Sequence, residues 1–302
     1  MKRQTLFLAL LVAFLLAPRT GYSQSIQERL LNFGTDFAKG YMGPFVDAFG
    51  ASLNSGWYHT ANVDNGISLY LGVKVMYMPI PDDRKTFTIE SPYPPLGTFD
   101  TVPTVFGENV QKPISGGGAF PIDKYPAGLN YGFAPMIVPQ AQVGNIMGTR
   151  AILRYFPKMA VGDIGDIEFF GIGVQHSVSQ YIPMVPIDIS ALVAYQSFKL
   201  GSMINTTAYT FGAQISKSLA VLTLYGGLAY EKSTMSFGYD AELPDPSNFT
   251  LKVKQHIGFD ADGKNSFRAT VGASLDLLVF KIHADYSLAS QPVATLGVGI
   301  GF

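Results

Sequence analysis

The stretch FRATVGASLDLLVFKIHADYSL, residues 267–288, alternates in character at almost every position. Phe267, Ala269, Val271, Ala273, Leu275 and Leu277 share one face, and Arg268, Thr270, Gly272, Ser274 and Asp276 share the other. Leu278, Phe280, Ile282, Ala284, Tyr286 and Leu288 then oppose Lys281, His283, Asp285 and Ser287. Each apolar face runs about 10–11 residues, close to what a tilted strand needs to cross a bilayer. A soluble sheet with one wet face alternates too, but it needs a second layer to cover the apolar face. Beyond residue 57 there is no convincing amphipathic helix to supply one. Turning the strands over would set Lys281 and Asp285 in lipid, at about 2–4 kcal/mol for a mid-membrane lysine and less for aspartate. The apolar face therefore meets lipid, and the polar face lines a lumen.

Composition agrees. Hydrophobic residues make up 47% and charged residues 14%, against roughly 25% charged in globular domains. Residues 1–24 read as a cleaved secretory signal: Lys2 and Arg3, an apolar run from Leu6 to Ala17, then small and polar residues with cleavage near Gln24. After it no apolar stretch is long enough for a helical span, which leaves strands as the means of crossing. There is no cysteine, so neither disulfides nor lipoprotein anchoring are available. Without the signal the formal charge falls from −1 to −4, with no basic cluster to suggest nucleic acid.

The same period recurs along the chain, for example in TAYTFGAQIS and LTLYGGLAYE. Candidate strands lie at 66–79, 85–91, 98–106, 132–143, 148–157, 167–178, 187–198, 205–216, 219–231, 233–241, 249–258, 266–276, 278–288 and 293–302. They predict an all-β transmembrane antiparallel barrel of about fourteen strands, with twelve an alternative, over residues 57–302. Counting back from a periplasmic C-terminus puts the turns at 144–147, 217–218 and 277 on the periplasmic side. The long GENVQKPISGGGAFPIDKYPAGLN falls outside. The last strand, ATLGVGIGF, places Leu296, Val298, Ile300 and Phe302 toward lipid and Gly297, Gly299 and Gly301 inward. Its terminal aromatic resembles the signal by which barrel-assembly machinery selects its clients.

Residues 25–56 differ. Ile26, Leu30, Phe33, Phe37 and Tyr41 follow helical spacing, with a break expected at Gly43-Pro44 and Phe45 and Phe49 beyond it. One or two short helices could lie in the periplasm, on the membrane surface or inside the barrel. A plug or cap is favoured. Strand glycines commonly mark close approach of another backbone, so Phe33, Phe37 and Tyr41 are expected to pack on the Gly297, Gly299 and Gly301 stripe. Trp57 and Tyr58 suit an interfacial girdle.

The stretches FVDAFGASLNSGWYHTA, VQHSVSQYIP, AYQSFKLG, VLTLYGGLAYEKS and NSFRATVGASLDLLV resemble a family of uncharacterised outer-membrane barrels of Bacteroidota-type bacteria, a domain of unknown function. The resemblance implies the fold and the outer-membrane location and brings no activity. The architecture is also similar to the outer-membrane fatty-acid and hydrocarbon transporters, an analogy of layout without their N-terminal hatch motif.

Candidate lumen-lining residues are Arg150, Arg154, Arg268, Asp276, Lys281, His283 and Asp285. Arg150 and Arg154 could confer an anion preference or pair with Asp188 or Glu231. Arg268 is expected to reach Asp285, and Asp276 to reach Lys281, as an ion-pair ladder worth about 0.2–1 kcal/mol per pair. The four histidines show no metal-ligand spacing. A Ser274 or Ser287 nucleophile with His283 is conceivable, but ladder filling explains these residues more simply. The expectation is no enzyme, no catalytic residue, no metal and no cofactor. Its leading function is passive passage of a small, possibly hydrophobic solute. The alternative is a non-transporting anchor that binds a partner through its outer loops; a lipid-acting enzyme is weaker. Expected partners are membrane lipid and, during biogenesis, the assembly machinery.

Overall fold

Alternating strands leave unpaired edges unless the sheet closes on itself, and in the computed structural model it does. The structure describes residues 34–63, 66–93, 95–117, 123–161, 165–182, 184–245 and 248–302. One helix, α1 (Gly34–Leu53), precedes strand β1 (Ser68–Pro79). Two small hairpins follow, β2 (Thr86–Glu90) with β3 (Phe99–Pro103), and β4 (Lys112–Pro113) with β5 (Lys124–Tyr125). Next come β6 (Phe133–Ile146), β7 (Thr149–Val161), β8 (Gly165–Ser177), β9 (Asp188–Leu200), β10 (Ile204–Leu219) and β11 (Leu222–Asp245). The chain finishes with β12 (Asn248–Asp262), β13 (Phe267–Leu277), β14 (Phe280–Leu288) and β15 (Val293–Gly301).

Ten antiparallel strands form the barrel: β1, β6 to β11, and β13 to β15, with β15 returning to β1. The expected count of about fourteen is therefore corrected. Segments 85–91 and 98–106 lie in the off-barrel β2–β3 hairpin. Segment 233–241 continues β11 past its pairing with β13, still against β10 as far as Phe237, and 249–258 belongs to β12, which pairs with that extension from Thr234 to Asp245. Alternation reports that a strand has two unlike faces; it does not say whether lipid or protein covers the apolar one. In β2 the cover is protein, because the Phe87 ring packs on Phe37 at 5.4 Å. The misread segments came as whole hairpins, so the parity of the rest is undisturbed. Turns 147–148, 220–221 and 278–279 share one end with Phe302, and the long connection 80–132 lies at the other.

The wall has the expected faces. On β1, Leu71, Val73, Val75 and Tyr77 are exposed outward, while Tyr70, Lys74 and Met76 are buried inward. At the closing seam Gly72 faces Gly299 and Lys74 faces Gly297. Phe302 and Leu69 exchange two backbone hydrogen bonds of 2.9 and 3.0 Å, sealing the ring.

Helix α1 is continuous through Pro44, where a break was expected. A proline ring presses on the residue four positions back, and here that residue is Gly40, which has no side chain to add to the crowding. Gly40 is needed for a second reason: a Cβ there would stand 2.4 Å from the Phe87 ring.

Candidate functional site

The candidate site is the lumen, and a single pass of chain occupies it. At the loop-bearing end Phe37 stacks between Tyr41 and Tyr125, both at 5.8 Å. The Tyr41 hydroxyl donates to the Ala127 carbonyl at 2.8 Å, and the Val105 N–H donates to the Tyr41 carbonyl at 2.9 Å. Lower on the helix Asp47 accepts from Arg84 at 2.8 Å and from the Lys264 backbone at 2.9 Å. Phe49 meets Phe198 of β9 edge-on at 4.8 Å. After the helix ends, Trp57 lies against β8, where a Cβ on Gly171 or Gly173 would sit 3.1 Å from its indole. At the turn end Asn62 donates to Asp188 at 3.2 Å. Residues 37 to 62 thus descend the barrel in sequence order.

The helix terminates inside the barrel, where its last carbonyls carry the negative end of the macrodipole with no water to meet them. Two arginines from different walls meet them instead. Arg154 on β7 donates to the Leu53 carbonyl at 3.1 Å and to the Ser55 carbonyl at 2.6 Å. Gln140 and Gln196 accept two further hydrogen bonds from it at 2.8 and 3.1 Å, and its guanidinium lies 3.8 Å from the centre of the Trp57 ring. From β13, Arg268 donates to the Ala51 carbonyl at 2.8 Å and to the Ser55 hydroxyl. It also forms a bidentate pair with Glu231, at 2.7 and 3.0 Å. This collar, with Trp57, fills the middle of the lumen; a cavity of about 20 Å³ remains beside it, roughly one water.

Below the collar the lumen is polar. His59 stacks on His283 at 4.7 Å, and the Lys74 ammonium contacts the His283 ring. Tyr225 donates to Asp285 at 3.0 Å. His59 Nδ1, Tyr70 OH, His283 Nδ1, Ser274 Oγ and one oxygen of Asp285 are buried without a hydrogen-bond partner among the described residues. A cavity of about 290 Å³ opens beneath them at the turn end, between Arg150, Gln142, Thr223 and Lys281. Above the collar, a cleft of about 460 Å³ lies between α1, residues 83–87 and residues 260–264.

Placement of the sequence-derived residues is mixed. Lys281 and Asp276 pair at 3.0 Å, directly across β13 and β14. Arg268 pairs with Glu231 in place of Asp285, because Asp285 sits opposite Gly272, two inward positions farther along, whereas Glu231 is a diagonal neighbour across β11. Arg150 bonds Gln175 and the Asn62 carbonyl, and neither Arg150 nor Arg154 takes Asp188 or Glu231. Ser274 lies opposite His283 in register, but its hydroxyl makes no hydrogen bond, and Ser287 bonds Thr270.

Phe37 and Tyr41 are buried under the 80–132 connection, at the opposite end of the barrel from Gly301, and Phe33 lies outside the described residues. The stripe is covered by side chains of the wall itself. A Cβ on Gly297 would strike the His283 ring, and one on Gly299 would stand 2.7 Å from Tyr70. The glycines accommodate large inward neighbours, which corrects the packing assigned to the helix. Trp57 is 2% exposed and belongs to the lumen, not to an interfacial girdle. Glu231, expected as a lumenal acid for Arg150 or Arg154, takes Arg268 instead. Lys74 and Gln140 escaped notice as site residues. Lys74 alone carried a signal, a charge at inward parity in LYLGVKVMYMP.

Several solved structures align with the chain at low similarity. The attachment invasion locus protein Ail of Yersinia pestis aligns over 79% of this chain and 99% of its own, at 13% identity and a TM-score of 0.26. The translocator domain of autotransporter NalP from Neisseria meningitidis aligns over 88% and 97%, at 11% and 0.27. A BenF-like porin from Pseudomonas fluorescens aligns over 78% and 98%, at 8% and 0.19. No curated protein matches the sequence. Residues 1–302 match one family throughout, and the chain belongs to that family of unknown function, DUF6588.

Proposed function

We propose that this chain is an outer-membrane barrel held shut by its own N-terminal helix, anchoring an ordered outer face for a partner to bind. The observation that carries the reading is the filled midsection: Trp57, Arg154 and Arg268 are buried together around the end of α1. The outer face is built from residues 80–132 and the β11–β12 extension, and Asp47 ties both regions to the helix through Arg84 and Lys264. Export would begin with removal of residues 1–24, which lie outside the described residues.

Passive transport is the second reading. It is favoured by the separate openings above and below the collar, and it requires α1 to leave the lumen. A hydrophobic cargo rests on the analogy with fatty-acid transporters alone.

Planar-bilayer conductance separates the two. The anchor reading expects a silent full-length barrel, conductance on deletion of residues 25–56, and a co-purifying partner lost on trimming 107–131. Solute-dependent conductance in the intact protein would overturn it in favour of transport.

A further inference from the structure

The connections at the turn end are chemically unusual. Four non-glycine residues there adopt left-handed backbone conformations: Met147 at φ 52°, Met184 at 63°, Ala220 at 55° and Leu278 at 58°. Such positions favour glycine, asparagine or aspartate, and a turn standing in water has every reason to use them. This chain places large apolar side chains there and exposes them. Met147 is 83% exposed, Leu278 97%, and Met184 is fully exposed. Val221 and Phe302 complete a ring in which, among the described residues, each of the four strand-to-strand connections at that end, and the last residue, presents an apolar side chain. The opposite end differs in carrying exposed ion pairs such as Lys158–Asp166 and Lys232–Asp262, and its exposed apolar side chains, Leu96, Phe99 and Val110, are confined to the 80–132 connection among the loops described there.

An exposed apolar surface of this extent marks an interface. Two observations say what covers it. First, the ring is continuous with the lipid-facing belt: Leu277 and Phe280 end that belt on β13 and β14, and Leu278 lies directly between them. It also encircles the whole barrel, which fits a planar surface better than a partner docked on one side. Second, Lys217, exposed two residues before the Leu219 end of β10, makes no ion pair among the described residues and reaches only the Pro186 carbonyl. A lysine at that height, with its stem along apolar surface, is placed to meet phosphate.

We propose that the short-turn end of the barrel is seated in the headgroup–acyl boundary of the inner leaflet. Met147, Met184, Val221, Leu278 and Phe302 lie in lipid, and Lys217 faces phospholipid phosphate. This rests on the outer-membrane reading above.

The chain has no cysteine, so single-cysteine probes are clean. Full-length mature protein carrying M147C, L278C, F211C (belt) or T98C (outer hairpin) is labelled with a polarity-sensitive fluorophore. It is then reconstituted in nanodiscs of phosphatidylethanolamine and phosphatidylglycerol. Brominated acyl chains are expected to quench positions 147, 278 and 211 at least threefold more than aqueous iodide does, with the reverse at 98. If 147 and 278 behave like 98 while 211 still answers to lipid, the seating is overturned and the membrane reading stands. If 211 also answers to iodide, the membrane reading itself fails. If 147 and 278 are open to iodide in nanodiscs but shielded in native membrane vesicles, a periplasmic protein covers the ring and lipid is the wrong occupant. M147N with L278N suits the left-handed backbone, so this variant is expected to fold and to lose lipid quenching of a probe at position 221.

Discussion

Above the arginine collar the lumen is packed like the interior of a soluble protein, with Phe37 stacked on Tyr41 and Tyr125 and tilted against Phe87, and Phe49 edge-on to Phe198. Below it, Lys74, His59, His283, Tyr70 and Asp285 crowd together, and several of their polar atoms have no protein partner. The upper half gains from burying aromatic surface between helix and insertion. The lower half holds charge and imidazole out of bulk water at a desolvation cost. A barrel wall made only of alternating strands can enclose either kind of interior. What it encloses depends on which segment is sent inside.

The sharpest test of this contrast lies at the boundary. R268A leaves Glu231 buried without its cation and frees the Ala51 carbonyl, so it is expected to cost about 3–5 kcal/mol in denaturant unfolding of micelle-bound protein. Replacing both partners together, R268M with E231L, should recover much of that loss. Equal losses would show that the guanidinium's grip on the helix end matters more than the ion pair.

In the upper half, F37A removes a fully buried ring from a stacked cluster. The expected loss is about 3 kcal/mol, with faster proteolysis within residues 80–132. Protease resistance equal to the parent would mean that the insertion folds without the helix. In the lower half the expectation changes: K74M removes a fully buried ammonium that has no ion-paired carboxylate among the described residues. Its effect on unfolding should be within about 1 kcal/mol and of either sign. A loss comparable to that of R268A would show that the polar half is as tightly specified as the aromatic half.

The smallest effect concerns pH and the outer insertion. Burial acts to raise the Asp100 pKa, but hydrogen bonds from the Ser115 hydroxyl and backbone and from Tyr125 outweigh it and hold the carboxyl below its ordinary value. A carboxyl depressed on folding adds stability above its unfolded pKa and loses it as pH falls through the folded one. Proteolysis of residues 80–132 should therefore accelerate below the usual carboxylate range, and D100N should flatten that dependence. An unchanged profile in D100N would place the acid sensitivity elsewhere.

Period-two alternation was enough to read which residues face out on β10, β11, β13, β14 and β15, and that the short turns share one end, although the turns at 220–221 and 278–279 lie one to three residues beyond the positions expected. Side-chain direction in a strand is a local property with a fixed period. The pairing of Lys281 with Asp276 was legible for the same reason, since one hairpin sets its register. Arg268 with Glu231 was not, because β13 is separated from β11 by the excursion through β12.

The glycine stripe at 297–301 shows the limit clearly. The sequence determined that three glycines face inward beside three outward-facing aliphatics, because alternation leaves them no other face. Only the closed ring decided what lies over them. Tyr70 and His283 come from the two strands flanking β15, and Tyr70 is brought alongside by joining the two ends of the sheet. In the same way the sequence announced a helix before the first strand. Its place, ending inside the barrel against two arginines, follows from the need to satisfy its last carbonyls away from water. That need exists only once ten strands have enclosed the helix.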